Sequence, residues 1–273
     1  MASQPSPSAQ PLEFVIAHSV ATASIAGFLA GMIAGGAGSR LAMRITALTA
    51  GSADQGAITE FEATVGEITA GGTIFLILAG GLVGVLGGLI YLVLRRWVAD
   101  AGPSRGLVFG ALLLAMLGST IVDGGNPDFH LFGTPALNVA MFASFFIVFG
   151  LLVAPIFDWV ATVERALPPP SLRRAGLPSF AGHAFGLVLL LPALGGLGIV
   201  ASGAARILLP YILIVVPVAS VPIARTAGRF DRLSDLRVHQ GAMRAALAVL
   251  ALPIVVGLVL NAVALVDIFT AGG

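Results

Sequence analysis

The sequence predicts an all-α integral membrane protein with about seven transmembrane helices. Of its 273 residues, 58% are hydrophobic and only 10% are charged, and the mean hydropathy is +1.02. An ordinary soluble domain carries about 25% charged residues. Seven apolar segments follow one another along the chain, each close to the roughly 20 residues that a helix needs to cross a bilayer. These observations predict a single transmembrane helical domain over residues 14–273.

A polar, proline-rich tail, residues 1–13, precedes the first segment. It begins MASQPSPSAQPL and is predicted to be disordered, because it offers little apolar surface to bury. It contains no arginine, so a cleaved signal peptide, which starts with a basic region, is not expected. The predicted segments 1 to 7 cover residues 14–36, 72–94, 106–122, 135–157, 183–201, 206–224 and 244–266.

Arginine positions predict the orientation of these segments. With the N-terminus in the cytoplasm, eleven of the fourteen basic residues, all arginine, fall in inner loops. Such an excess of basic residues on the cytoplasmic side is the usual pattern in membrane proteins. The prediction is an N-in, C-out chain in a bacterial plasma (inner) membrane. Three arginines remain on the outer side, Arg40, Arg44 and Arg206.

Segments 1 and 2 carry small residues at every fourth position. Small residues four apart form a groove on one helix face, so that a second backbone can approach closely. The pattern predicts a glycine-packed hairpin of segments 1 and 2, a glycine zipper. Use of the same face for association with another protein or a second copy is the alternative. The glycines concerned are Gly27, Gly31, Gly35, Gly80, Gly84 and Gly88.

Segments 4 to 7 carry prolines in their interiors, which segments 1 to 3 lack. An interior proline removes a backbone hydrogen bond and kinks the helix. The C-terminal half is therefore predicted to be proline-bent, and segment 6 most strongly, since it contains Pro210, Pro217 and Pro222. Broken helices are typical of transporter binding sites, although proline is also common in other membrane helices.

Polar residues concentrate at the outer ends of the segments. If Gly36 and Gly71 mark the membrane boundary of the first hairpin, Arg40 and Glu67 lie at one height and are predicted to form an ion pair, with Arg44 near Glu60 or Glu62. This candidate outer polar cluster either binds a small solute or ion or only holds the helix ends together. Its members are Arg40, Arg44, Glu60, Glu62, Glu67, Asp123, Asp128, His130, Asn138 and Asn261.

Catalytic and cofactor chemistry finds little support. The chain has no cysteine and no lysine, which excludes thiolate nucleophiles and Schiff bases. The four histidines lie far apart, and no zinc-protease, Walker A or nucleophile-elbow motif occurs. No catalytic residue, metal or cofactor is therefore predicted. The arginines form no basic stripe, so nucleic acid is not an expected partner, and the middle of each segment lacks the ionisable residues typical of proton-driven transporters.

Two outer-loop stretches carry a resemblance. SRLAMRITALTAGSADQGAITEFEATVGEITAGGT and NPDFHLFGTPALNVAMF resemble sequences in a group of bacterial polytopic membrane proteins with no assigned activity. The resemblance implies that the two outer loops belong together and implies no functional residue.

The sequence favours a non-catalytic multi-pass membrane protein, acting as a partner subunit or as a structural or regulatory component. Its expected partners are the lipid bilayer and a membrane protein partner or a second copy of the chain. A transporter of a small solute or ion with its polar site on the outer side is the alternative. An intramembrane enzyme of unfamiliar type is the second alternative.

Overall fold

A computed structural model describes residues 12–49, 69–125, 129, 134–166, 184, 186, 188–193 and 236–270. Within these ranges 95% of the residues are helical and none is in a strand, which confirms the predicted all-α class. In this described part of the chain, four helical stretches are long and apolar enough to cross a membrane: His18–Thr49, Ala70–Thr120, Pro135–Val163 and Ala251–Thr270. These stretches match the predicted membrane character of the chain by length and composition.

We number the helices α1 to α6 in chain order. They are α1 (Leu12–Gly31), α2 (Gly38–Thr49), α3 (Ala70–Val98), α4 (Arg105–Leu117), α5 (Pro135–Ala166) and α6 (Leu236–Thr270). A π-helical turn, Met32–Ala37, joins α1 to α2. Predicted segments 1, 2, 4 and 7 lie within these helices, and segment 3 largely does. Segments 5 and 6 fall mostly outside the described residues.

The stretch Ala70–Thr120 contains two helices and not one. A single straight helix of this length would measure more than twice the roughly 30 Å of the hydrocarbon core. A 3-10 turn, Ala99–Ser104, separates α3 from α4, and Gly102 within it has φ 56° and ψ −125°. Such a positive φ is favourable only for glycine. Gly102 and the adjacent Pro103 therefore end α3 and permit α4 to start in a new direction.

We call α1, the π-helical turn and α2 together the first long helix. It runs antiparallel to α3, and the two backbones are in contact. A Cβ added at Gly31 would lie 2.7 Å from Gly84 Cα, and one added at Gly27 would lie 2.8 Å from Gly88 Cα. Farther along, a Cβ at Gly36 would lie 2.5 Å from Ile77 Cα. Residues later in the first long helix thus contact residues earlier in α3, as expected for an antiparallel pair. No side chain larger than hydrogen fits at these positions without separating the helices.

The π-helical turn is part of this contact. Gly36 is buried against Ile77, and helical structure continues beyond it to Thr49. Segment 1 was expected to end at Gly36, so the helix is longer than predicted by about three turns. Arg40 and Arg44 consequently lie on α2, one turn apart, in the same continuous helical stretch as α1.

The remaining helices pack around an aromatic core and two further glycine contacts. Tyr91 of α3 meets Phe109 of α4 and Phe157 of α5 edge to face, with ring centroids 5.0 and 5.6 Å away. A Cβ added at Gly150 of α5 would lie 2.6 Å from Gly110 Cα of α4. The spacing of Gly106 and Gly110, four apart, is the same signal that marks segments 1 and 2.

The C-terminal half contains long helices that continue through their prolines. Pro155 lies inside the 32-residue α5 and Pro253 inside the 35-residue α6. Next to Pro253, Gly257 brings α6 onto α4, since a Cβ there would lie 2.6 Å from Met116 Cα. Pro210, Pro217 and Pro222 fall outside the described residues. The bend predicted for segment 6 therefore stays a prediction.

Replacing Gly84 by alanine is expected to destabilise the fold. The added methyl would lie 2.7 Å from Gly31 Cα, against backbone that cannot rotate away. Overpacking of this kind costs about 1–3 kcal/mol. Gly71→Ala is the matched control in the same helix, because a Cβ at Gly71 has nothing within 4 Å. Unfolding curves in detergent measure both, and equal curves for the two variants would contradict the backbone contact.

Candidate functional site

The guanidinium of Arg40 lies at the N-terminus of α3. Its Nη2 is 3.5 Å from the carbonyl oxygen of Thr69, and its Nη1 is 3.9 Å from Met43 Sδ. A Cβ added at Gly72 would lie 2.6 Å from Nη2, so the absence of a side chain at Gly72 makes room for the arginine. Arg40 Nε is buried and has no hydrogen-bond partner in the part of the chain that the structure describes.

This position of Arg40 calls for a counter-charge. The N-terminus of a helix is its positive end, so a cation there is disfavoured. The contact to the Thr69 carbonyl is at the outer limit of hydrogen-bond length and adds little. Glu67, two residues before Thr69, is the carboxylate that the sequence provides at this height, and it lies outside the described residues. The Arg40–Glu67 ion pair therefore stays a prediction.

The other members of the outer polar cluster divide into two groups. Glu60, Glu62, Glu67, Asp128 and His130 fall outside the described residues. Arg44 is exposed on α2, and Asn138 is buried in the first turn of α5. Asp123 is exposed in the turn after α4, where its Oδ1 accepts a hydrogen bond of 3.0 Å from the Gly125 N–H.

The side chain of Asn261 in α6 contributes to helix packing. Its carboxamide Nδ2 donates to the carbonyl oxygens of Leu114 and Ala115, at 2.9 and 3.1 Å. These carbonyls belong to the last turn of α4, where helical partners run out. The Leu114 carbonyl also accepts the Gly118 N–H, so Asn261 supplies it with a second donor. Asn261 thus joins α6 to the end of α4.

The turn after α4 completes this contact. A Cβ added at Gly124 would lie 3.4 Å from the Ala264 carbonyl, so the turn rests on α6. Beneath it, Val122, Phe129 and Ile268 form a small buried core. The structure thus places the turn that contains Asp123 against α6, the helix to which Asn261 belongs. Within the described residues, no hydrogen bond or ion pair joins Arg40 to Asp123 or Asn261.

The opposite end of the bundle contains a polar site that the sequence analysis missed. Arg105, the first residue of α4, forms an ion pair through Nη2 with Asp158 Oδ2 of α5. The side chains of Arg105 and Asp158 are 36% and 50% exposed, so water screens the pair. Close by in the fold, Arg95 stacks over the Phe157 ring at 5.1 Å and Arg96 over the Trp97 ring at 5.2 Å.

A cleft opens beside this ion pair, between the α3–α4 turn and α5. Its volume is about 430 Å³. One wall is the turn with the start of α4, and the other is a stretch of α5 that is entirely apolar. Among the described residues that line the cleft, Arg105 is the one with a charge. These residues are Ala99, Gly102, Pro103, Arg105, Gly106, Leu151, Ala154 and Pro155.

Neither end of the bundle holds a metal-binding group in the described ranges, where no three His, Asp or Glu residues cluster. No protein-family model matches the chain, and neither a curated protein nor a solved structure gives a match. The assignment of a site therefore depends on the contacts of this chain itself.

Replacing Asn261 by leucine is expected to destabilise the packing of α6 on α4. The variant keeps the side-chain size but removes two hydrogen bonds from the Leu114 and Ala115 carbonyls. Hydrogen bonds between membrane helices contribute about 0.6 kcal/mol on average, and up to about 1.7, so a loss of about 1–2 kcal/mol is expected. Unfolding in detergent measures it, with Val259→Ala at an exposed position of α6 as the control. A variant as stable as the parent would show that Asn261 is not needed for packing.

Proposed function

We propose that this chain is a non-catalytic multi-pass protein of a bacterial plasma membrane that serves as a membrane-embedded subunit of a larger assembly. The observation that carries the proposal is the use of Asn261. A polar amide inside a membrane helix usually belongs to a functional site. Here the two hydrogen bonds that Asn261 Nδ2 donates go to carbonyls at the end of a neighbouring helix. The amide serves packing in preference to a ligand.

The glycine face, which a partner could have used, is occupied within the chain. Gly27 and Gly31 are covered by the α3 backbone, so that this face serves the chain's own hairpin. A partner must then use another surface. α6 offers one, because it is much less buried in the bundle than the first long helix.

The exposed side of α6 is broad and apolar. Leu258, Val259, Val263 and Val266 are each more than half exposed. A buried stripe of Pro253, Gly257, Ala264 and Ile268 faces the bundle. We assign the exposed side to a helix of the partner protein, which would cover apolar surface that the bundle leaves bare.

We also propose seven spans with the N-terminus inside. The four long apolar stretches provide five spans, because Ala70–Thr120 contains both α3 and α4. The apolar runs at 183–201 and 206–224 provide two more. Arg95, Arg96 and Arg105 share one end of the bundle with both tryptophans of the chain, Trp97 and Trp159. Arginine is typical of the cytoplasmic side of a membrane, and tryptophan is enriched at both membrane–water interfaces.

Cysteine labelling tests the orientation without background, because the chain contains no cysteine. Thr49 and Ser104 are both exposed, small and polar, at opposite ends of the bundle. In intact cells, a membrane-impermeant maleimide is expected to label Thr49→Cys, and Ser104→Cys only after permeabilisation. The reverse pattern would place the N-terminus outside.

Photo-crosslinking tests the subunit proposal in native membranes. A photoreactive amino acid at Val259, and separately at Val263, is expected to yield the same discrete protein adduct. The same probe at Val83, an equally exposed position of α3, is the control and is expected to react with lipid alone. Lipid adducts at all three positions would contradict a partner on α6.

Reconstitution separates this proposal from transport. Liposomes containing the purified full chain are expected to pass sodium, potassium and small polar solutes no faster than empty liposomes. A flux well above that level which falls on Arg40→Gln, in a variant that remains folded, would instead establish the transporter with an outer polar site.

A further inference from the structure

We propose that the cleft between the α3–α4 turn and α5 binds an anionic phospholipid through its phosphate headgroup. The inference does not depend on the proposed function, because it concerns a different surface from the exposed side of α6. It rests on the shape of the cleft, the chemistry of its two walls and the free donors of Arg105.

The cleft has an apolar wall and a polar wall, arranged as the acyl chain and the headgroup of a phospholipid require. Leu151, Ala154 and Pro155 provide an apolar wall on α5, and Leu151 and Pro155 are exposed to the surroundings. Arg105 and the exposed turn residues Gly102 and Pro103 lie on the other wall, beyond the end of α3. An acyl chain can therefore run along α5 while the headgroup stays at the membrane surface. A free anion would use only the polar wall.

Arg105 retains donors for a phosphate. A guanidinium has five N–H groups and pairs with phosphate oxygens in a two-pronged geometry. The contact with Asp158 uses Nη2 and one carboxylate oxygen. The pair is partly exposed, so a ligand can reach the remaining donors from the cleft.

The surroundings favour an anionic lipid over a neutral one. Arg95 and Arg96 are exposed in the last turn of α3 and add positive charge at this membrane surface. Basic pockets between membrane helices are suited to anionic headgroups. Trp159, 61% exposed on α5, is typical of residues at the headgroup level.

Fluorescence of the full chain in nanodiscs tests the proposal. The chain has two tryptophans, and Trp97 and Trp159 both lie at this end of the bundle, so their emission reports on lipid there. In nanodiscs of dibrominated phosphatidylcholine, bromine quenches this emission. Added unbrominated phosphatidylglycerol is expected to relieve quenching far beyond its mole fraction, with a preference of about tenfold, which equals about 1.4 kcal/mol.

Three variants separate a lipid site from a structural ion pair. Arg105→Gln is expected to reduce the preference to near that of the bulk lipid mixture. Asp158→Asn removes the same ion pair but leaves the arginine, and it is expected to keep or raise the preference. Arg95→Gln is the control, because Arg95 stacks over Phe157 and does not line the cleft. It removes one charge from the same surface, and a change of no more than about twofold is expected because surface charges are screened.

Three outcomes would overturn the proposal. The first is equal relief by phosphatidylglycerol and unbrominated phosphatidylcholine. The second is an equal loss in Arg105→Gln and Asp158→Asn, which would assign the residues to folding alone. The third is complete loss of the preference in excess inorganic phosphate at constant ionic strength, which would assign the cleft to a free anion. None of these outcomes bears on the crosslinking from α6, so the two proposals fail separately.

Discussion

Contact between the backbones of the first long helix and α3 is the constraint on which the rest of the structure depends. Apolar side chains gain no hydrophobic free energy when they leave lipid for a helix interface. Membrane helices therefore associate through close packing and hydrogen bonds. Gly27 and Gly31 on one side and Gly84 and Gly88 on the other let two backbones touch directly. The antiparallel register that results sets the height of Arg40 and presents Tyr91 to the other helices.

The same physical solution recurs where the other helices join. Gly106, Gly110 and Gly150 allow α4 to lie against α5, and Gly257 allows α6 to lie against α4. Hydrogen bonds supplement these contacts at the place where a helix ends and carbonyls lose their partners, as Asn261 shows at the end of α4. Asn261 thus completes backbone hydrogen bonds of a neighbouring helix, whereas Thr22 and Ser24 donate to carbonyls of their own helix.

The candidate sites were predictable to different degrees. Arg40 was identified because two fixed charges after a run of small residues stand out at a membrane boundary. The structure places it at the Thr69 carbonyl, and its pairing with Glu67 stays a prediction. Arg105 and Asp158 were not identified, because 53 residues separate them and no local spacing connects them. Asn261 was identified as a polar residue. Its partners could not be predicted, because they are backbone carbonyl groups and every residue has one.

Composition and hydropathy determined, from the sequence alone, that the chain is all-α and apolar enough to span a membrane, because a helix is the one open segment that satisfies its own backbone in lipid. The periodic glycines predicted a glycine-packed hairpin of segments 1 and 2. Only the tertiary structure decided what each polar residue does. Helix register, the π turn at Met32–Ala37 and the break at Gly102 depend on contacts between distant segments. Those contacts place Asn261 on carbonyls and Arg105 beside a cleft.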